Sequence, residues 1–248
     1  GASAAEAQVN VAVAVLEQIA EFASGEPARN GLNLPRLSQA ELREVAPYID
    51  LADRLGDFAG QLSSGPIRKI EVVLHGELAQ MNPAPIATAA LAGTIRKTLA
   101  SPVNLVNARL LAEQRGIQVV ESTTTSLKPG LINGLELRVE SDRVRKVTGT
   151  LFAHSDGRIV DIDGIRLEAV PKGHMLLICN RDMPGAVGKI GTVLGSAGVN
   201  ISRMQLGLAQ DGGDALAVVN VDGEVPESAL GAISEVEQVL SVDSVYID

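Results

Sequence analysis

Apolar residues recur every three or four positions in two stretches near the start of the chain, which is the spacing of an amphipathic helix. The first stretch follows the capping-box pattern Ser3–Glu6 and ends at Gly25. A second capping box, Ser38–Glu41, precedes a predicted helix over Tyr48–Leu62, with Pro47 near its start, where proline is tolerated. Two helices make a poor core by themselves, so we expect them to pack on a larger body.

From Ile67 onward, short runs of apolar and β-branched residues replace the helical spacing and predict strands. Asp156-Gly157 gives the strongest hairpin signal among the turns between them. A strand and two helices followed by several strands are typical of an α+β domain with helices on one face of a mixed sheet. The predicted strands are Ile67–Leu74, Ile117–Glu121, Leu135–Val139, Val144–Phe152, Arg158–Ile162 and Ile165–Val170, and the predicted helices are Pro85–Leu99 and Val103–Glu113.

The last part of the chain alternates strands and helices in the order βαββαβ, the split ferredoxin-like motif. Its predicted elements are strand Met175–Cys179, helix Pro184–Ala197, strands Val199–Leu208 and Ala215–Val221, helix Pro226–Val236 and strand Val239–Ile247.

Breaks at Ser63–Pro66 and Pro171–Gly173 divide the chain into three predicted segments, residues 1–64, 65–171 and 172–248. The predicted fold class is α+β: a helical N-terminal segment, a domain with a mixed sheet, and a βαββαβ domain. The chain opens on Gly1 without a Met, which is typical of a piece of a longer polypeptide. Removal of a Met before a small residue is the alternative.

Composition narrows the range of partners. A net charge of −9, no Trp, two Tyr and three Phe argue against a nucleic-acid partner, which needs clustered Lys and Arg or aromatic platforms. One cysteine and three scattered histidines argue against a disulfide framework and against a metal site. No apolar run reaches the roughly 20 residues that span a bilayer, and no secretory signal is found, so a cytoplasmic setting without membrane contact is expected.

No catalytic constellation is found in the sequence. No Gly-x-Gly-x-x-Gly follows a predicted strand, so the dinucleotide-binding fingerprint is absent. The glycines of Gly191–Gly198 fall inside and at the end of a predicted helix, where close helix packing and a C-terminal cap explain them. Cys179 lies in an apolar strand, which favours an inert buried thiol. The chain alone is therefore predicted to be inactive and to hold no cofactor.

The loop Asn180–Gly185 combines features of a binding site for a small zwitterion. Pro184 suits the first position of a helix and Asp182 lies near its cap, so exposed helix amides would attract a carboxylate. Asn180 and Asp182 would point the same way if the strand geometry persists. Asn200 opens the next strand, which we take to be adjacent, so the three side chains could bind an ammonium or hydroxyl group. A simple helix cap with two turn-forming Asn residues explains these residues equally well.

Several segments carry a resemblance to known families. The stretch NRDMPGAVGKIGTVLGSAGVNI, residues Asn180–Ile201, resembles the signature of the ACT domain family, small βαββαβ modules that bind amino acids. Gly1–Gln8 resembles the segment just after the catalytic histidine of D-3-phosphoglycerate dehydrogenases. Ala100–Ala108 and Arg158–Ile165 resemble the intervening domain of the long form of that family. The resemblance spans essentially the whole chain and implies that residues 1–64 are a helical remnant of a catalytic portion.

The resemblance also implies an effector. Long-form enzymes of this family oxidise 3-phosphoglycerate with NAD in the first committed step of L-serine biosynthesis. Their ACT domains pair side by side and bind serine, the feedback inhibitor, at the shared interface, which implies a homo-oligomer. The effector positions carry over to Asn180, Asp182 and Asn200, with Met183 and Ile201 beside them. The family often has His or Tyr at the position of Asn180, so serine or a similar small amino acid is expected. NAD and the catalytic residues belong to the parent enzyme, outside this chain.

The intervening domain of the family is associated with anionic effectors, and Arg68, Lys69, Arg138 and Arg145 are the candidate anion-binding residues here. Because alternate strand residues face opposite ways, they cannot all form one patch, and a solvated face is favoured for each.

Two alternatives stay open beside the regulatory portion of a serine-pathway dehydrogenase. A freestanding amino-acid-binding regulator would have no enzymatic parent, and the coding sequence upstream of Gly1 distinguishes the two. A regulatory chain of a serine dehydratase shares a similar pair of domains. That enzyme needs an iron–sulfur cluster held by several cysteines, and this sequence has one.

Overall fold

The computed structural model describes residues 4–23, 39–99, 101–126, 131–209 and 212–248. Its helices are α1 (Ala4–Ala23), α2 (Gln39–Gln61), α3 (Pro83–Arg96), α4 (Ala108–Gln114), α5 (Ala186–Ser196) and α6 (Glu227–Ser234). Its strands are β1 (Lys69–Gly76), β2 (Gln118–Thr124), β3 (Asn133–Glu140), β4 (Val144–Phe152), β5 (Asp156–Ile162), β6 (Ile165–Ala169), β7 (Gly173–Arg181), β8 (Ile201–Leu208), β9 (Asp214–Val221) and β10 (Val239–Ile247). No helix in the described ranges is both long and apolar enough to cross a membrane.

The chain divides into two compact units, residues 1–46 and 47–248. In the first unit, α1 exposes apolar side chains of its predicted stripe, such as Val13 at 48% and Leu16 at 65%. The capping-box residues Ser3 and Ser38 lie outside the described part of the chain.

The second unit begins at Pro47, earlier than the predicted break at Ser63–Pro66. The predicted start of the second helix was wrong, because Pro47 lies inside α2. A proline inside a helix removes one backbone hydrogen bond. The apolar residues that follow it offset this loss, since Leu51, Leu55 and Phe58 are at most 1% exposed.

A six-stranded sheet in the order β2-β1-β3-β4-β5-β6 forms the first domain of the second unit. The pair β1–β2 is parallel and the other pairs are antiparallel, so the predicted mixed sheet is confirmed. Alternate residues of β1, namely Ile70, Val72 and Leu74, are fully buried on one face. Leu51 and Leu55 of α2 reach Gly149 of β4, so α2 covers one face of this sheet.

Helices α2 and α3 cross with their backbones in close contact. A Cβ added to Gly56 would lie 2.2 Å from the carbonyl oxygen of Ala90, and one added to Gly93 would lie 2.1 Å from that of Asp53. Arg96 ties the two helices with a bidentate ion pair to the Asp53 carboxylate, with Nη1–Oδ2 at 3.1 Å. The crossing therefore depends on glycine at these positions.

Two predicted elements differ in the structure. The helix predicted over Val103–Glu113 is shorter, because the side chains of Asn104 and Asn107 bind nearby backbone groups and hold the preceding residues in turns. Asp156-Gly157 is not a turn but the start of β5. The β4–β5 turn contains Ala153 and His154 instead, with φ of 48° and 67°.

The second domain is a four-stranded antiparallel sheet in the order β10-β7-β9-β8, with α5 and α6 packed on one face. The predicted βαββαβ order is confirmed. Its core contains Leu176 and Ile178 of β7, Ala217 and Val219 of β9, and Ile190 of α5.

The opposite face of this sheet is also apolar and lies against the first domain. Met175 and Leu177 of β7 and Val218 of β9 alternate with the core residues and are at most 3% exposed. β6 covers β8 so closely that a Cβ on Gly207 would lie 2.5 Å from the carbonyl oxygen of Arg166. Each face of the sheet therefore has its own cover.

The α2–α3 crossing leads to a first prediction. Gly93→Ala should lower the free energy of unfolding by about 2 kcal/mol, because the added methyl group must push the two helices apart. The matched control Gly191→Ala in α5, where a Cβ meets nothing within 4 Å, should raise it by about 0.5–1 kcal/mol. Urea unfolding measures both values, and equal effects would contradict the close crossing.

The carboxyl group of Asp57 in α2 leads to a second prediction. Burial raises its pKa, although Lys97 opposes the shift. The folded chain then binds this proton more tightly than the unfolded chain, so the ionised carboxylate reduces stability at neutral pH. Asp57→Asn should be more stable than the parent at neutral pH. The difference should shrink as the pH falls through the raised pKa toward the ordinary value of 3.8. Urea unfolding across that range tests this, and a less stable Asp57→Asn protein at neutral pH would contradict it.

Candidate functional site

The loop after β7 is held in place by backbone hydrogen bonds. Arg181 N donates to Gln238 O and Asp182 N donates to Gly213 O, each at 2.8 Å. Met183 N donates back to Arg181 O at 2.8 Å, which folds the chain sharply at Asp182. The loop is therefore fixed on both sides by backbone hydrogen bonds.

Helix α5 begins without a side-chain cap. Its N-cap is Gly185, with φ of 90°, and no side chain bonds to the first amides. The helix was predicted to start at Pro184 with Asp182 near the cap, and both details were wrong. The first amides of a helix have no partner within the helix and carry the positive end of its dipole. Ala186 N donates to Met183 O at 3.3 Å, and the amides that follow it in the first turn have no side-chain cap, so they can face an anionic group.

Asn180 lies buried beside the loop. It is 3% exposed, and its Nδ2 donates to Arg181 O at 2.8 Å. Among the described residues, none donates a hydrogen bond to its buried Oδ1. A buried amide oxygen without a partner is costly, so this atom is suited to accept a hydrogen bond from a ligand.

Asp182 is exposed, and its carboxylate does not cap α5. Strand geometry ends at Arg181, so the condition for Asn180 and Asp182 to point the same way is not met. The interpretation of Asp182 as a simple helix cap is not supported either. Its neighbour Met183 is 52% exposed, which leaves an apolar side chain at the mouth of the loop.

Asn200 does not meet these residues within one chain. It was expected on a strand adjacent to β7, but β9 lies between β7 and β8. β9 pairs Val221 with both His174 and Ile201, and pairs Ala215 with both Asn180 and Leu208. Asn180 and Asn200 therefore lie at opposite ends of the sheet, separated by roughly 20 Å along the strands.

Asn200 itself is exposed at the start of the edge strand β8. Its Nδ2 donates to the Asp222 carboxylate at 2.5 Å, and its backbone oxygen accepts from Asp222 N at 3.2 Å. These bonds fix the side chain and leave its amide oxygen facing away from the carboxylate. Ile201, which follows it, is half-buried.

Each of the candidate anion-binding residues lies beside a carboxylate. Arg68 lies 3.8 Å from Asp142. Lys69 and Arg138 come together, each 3.7 Å from Glu71, and Arg138 also bonds Glu136 at 2.7 Å.

Arg145 lies on the other face of the sheet. It pairs in register with Val139, which is fully buried, and forms an ion pair with Asp163. The four cations are thus divided between two faces and do not form one anion-binding patch.

Two other predicted features have a clear outcome. Close helix packing does not explain Gly191 and Gly195, since a Cβ on either meets nothing within 4 Å. Gly198, with φ of 73°, follows the end of α5 in the left-handed conformation that ends many helices, as predicted.

Cys179 is half-buried, and burial raises the pKa of its thiol, with Asp214 adding to the shift. The predicted burial is therefore only partial, while the raised pKa leaves the thiol with little thiolate character.

The sequence analysis missed Gln238 and Asn220. Gln238 is 7% exposed, its backbone oxygen holds Arg181, and its Oε1 accepts from Lys189 Nζ at 3.1 Å. Nothing in the local pattern marks it. Asn220 is 7% exposed and interrupts the apolar run of β9, which is a signal that could have been read.

Comparison with known proteins assigns both domains. Residues 44–163 match the family model described as D-3-phosphoglycerate dehydrogenase intervening domain, and residues 174–238 match the ACT domain model. The chain therefore consists largely of an intervening domain of this family followed by an ACT domain.

Relatives named D-3-phosphoglycerate dehydrogenase match almost the full chain. The protein from Synechocystis is 39% identical over 99% of this chain and 44% of its own length. Those from Methanocaldococcus jannaschii and Bacillus subtilis are 35% and 32% identical over 98% of this chain and 46% of their own lengths. The chain shares the intervening and ACT domains of this family, and it spans about half the length of these relatives.

The uncapped start of α5 leads to a third prediction. Asp182→Ala should change the free energy of unfolding by less than about 0.5 kcal/mol, as for an exposed residue without contacts. Loss of a true N-cap costs about 1 kcal/mol. Urea unfolding in the absence of ligand separates the two cases, and a loss of 1 kcal/mol or more would restore the cap interpretation.

Proposed function

We propose that this chain is the regulatory portion of an NAD-dependent D-3-phosphoglycerate dehydrogenase of L-serine biosynthesis. Its ACT domain binds L-serine at an interface shared by two copies of the chain. NAD binding and catalysis belong to the rest of the parent enzyme, which works in the cytoplasm. The two matched domains support the regulatory role.

The observation that carries the proposal is the pair formed by Asn180 and the open end of α5. Asn180 Oδ1 is a buried acceptor without a donor, suited to an ammonium or hydroxyl group. The uncapped amides of α5 are suited to a carboxylate. An amino acid carries both groups. L-serine adds a hydroxyl, for which Asp182 offers an exposed acceptor.

The separation of Asn180 from Asn200 favours a site built by two chains. If both residues contact one ligand, Asn200 must come from a second copy, because within one chain they lie at opposite ends of the sheet. Asn200 opens the edge strand β8, where another chain can approach. A two-fold axis then places the loop of one copy beside Asn200 of the other and produces two equal sites.

Such a site links ligand binding to assembly and to the attached catalytic portion. A ligand held by two chains stabilises the dimer arrangement in which both chains contact it. It shifts the equilibrium between dimer arrangements by the ratio of its affinities for them. If the parent's catalytic portion differs in activity between these arrangements, serine binding changes that activity through the same coupling free energy.

Calorimetry with L-serine gives the fourth prediction. The parent chain should bind one serine per ACT domain, and Asp182→Ala or Asn200→Ala should each weaken binding at least about tenfold, as expected for loss of a bond to a charged or buried ligand group. The exposed control Glu237→Ala should bind as the parent does. The absence of heat at millimolar serine would exclude serine as the ligand. Heat with alanine or glycine in its place would favour another small amino acid.

A mixing experiment tests whether the site is shared. Asp182→Ala and Asn200→Ala chains, unfolded together and refolded, should form mixed dimers in which one of the two sites is intact. About a quarter of all sites should then bind with the parent's affinity, because half of the dimers are mixed. No recovery in the mixture would show that both residues serve one chain.

A further inference from the structure

The side chain of Gln61, the last residue of α2, lies against the edge strand β10. Tyr246 N donates to Gln61 Oε1 at 3.0 Å, and Gln61 Nε2 donates to Tyr246 O at 2.8 Å. One side-chain amide thus satisfies both backbone groups that Tyr246 turns away from β7. A primary amide has the same donor and acceptor as a peptide group, so Gln61 takes the place of a neighbouring strand at this point.

Neighbouring charges hold Gln61 in this position. Its Nε2 also donates to Asp57 Oδ1 at 2.9 Å, and Lys97 Nζ lies 3.4 Å from the same oxygen. Lys97 donates to Tyr246 O as well and lies 5.6 Å from the centre of the Tyr246 ring. Asp57 and Lys97 belong to the α2–α3 region of the intervening domain, and Tyr246 belongs to the ACT domain. The cluster therefore bridges the two domains.

The linker between the two domains is held separately. Asn220 of β9 donates through Nδ2 to the carbonyl oxygens of Val170 and Lys172, at 3.1 and 3.0 Å. Arg54 of α2 donates to Pro171 O at 3.4 Å. The linker, residues 170–172, is therefore bound to β9 and to α2. These bonds do not fix β10, the edge strand on the far side of the ACT sheet.

We propose that Gln61, supported by Lys97 and Asp57, is a latch that fixes the orientation of the ACT domain on the intervening domain. β6 and the linker hold the sheet on the side of β8 and β9, and the latch holds the far edge at β10. The ACT domain can tilt away from α2 only when both bonds of Gln61 to Tyr246 break. The latch contacts lie within one chain and involve none of the residues proposed to bind serine, so its test is separate from that of serine binding.

Cys179 provides a probe of the closed state. It is the only cysteine in the sequence and pairs in register with Leu216, on the sheet face that lies toward the intervening domain. Arg145 of the intervening domain is close enough to influence its thiol electrostatically. Because Cys179 is only half-buried in the closed state, a thiol reagent should modify it in both states, and faster when the two domains open.

The test measures the rate of Cys179 modification in the full chain without ligand. Gln61→Ala should raise the rate constant by up to about tenfold, because losing two ordinary hydrogen bonds favours the open state by about that factor. Gln61→Glu should raise it at least as much, because a carboxylate loses the donor and repels Tyr246 O and Asp57. The control Gln114→Ala, at an exposed residue of α4, should leave the rate unchanged. A Gln61→Ala rate equal to that of the parent would overturn the latch.

Hydrogen exchange in the unmodified protein keeps the test decisive if Gln61→Ala fails to fold. Ser244 and Tyr246 are two residues apart on β10, so their amides point to the same free edge. Tyr246 is bonded to Gln61, whereas Ser244 is exposed. After correction for intrinsic rates, the Tyr246 amide should exchange about tenfold more slowly than that of Ser244. Equal corrected rates would overturn the latch.

Discussion

The central strands of the ACT sheet are apolar on both faces, and the rest of the second unit is arranged around this constraint. Leu176 and Ile178 of β7 face α5 and α6, while Met175 and Leu177 face the intervening domain, and all four are nearly inaccessible. Burying a large aliphatic side chain stabilises a protein by about 1.5–3 kcal/mol. A βαββαβ module brings helices for only one face, so the second face needs another domain. The intervening domain supplies that cover.

This arrangement explains why the polar contacts lie where they do. A buried polar side chain is costly unless it forms hydrogen bonds. Asn220 uses its amide nitrogen to bind the carbonyl oxygens of Val170 and Lys172 in the linker. Gly207 has no side chain because β6 passes directly over it. The candidate ligand-binding groups lie at the two ends of the sheet. At one end lie Asn180 and the open start of α5, and at the other end lies Asn200.

The spacing of apolar residues predicted most helices and strands, because these elements bury one face and their sequences show it. β4 and β10 have the bounds that were expected. The errors have local physical causes. Pro47 is tolerated inside α2 because the residues after it are buried, and Asn104 competes with helix formation through its own side chain. The spacing of residues does not show the order of strands in a sheet. The position of β9 between β7 and β8, and with it the separation of Asn180 from Asn200, was therefore missed. The latch was missed too, because the contact of Gln61 with Tyr246 joins residues far apart in the chain.

The central claim is that one amino acid is bound by two chains, and linkage gives the most direct measurement. Sedimentation equilibrium of the chain should be recorded across a dilution series with and without saturating L-serine. Binding and assembly must strengthen one another by the same free energy if the site is shared. We expect L-serine to lower the dissociation constant of the dimer at least about tenfold. Serine that binds the monomer and leaves the dissociation constant of the dimer unchanged would contradict a shared site.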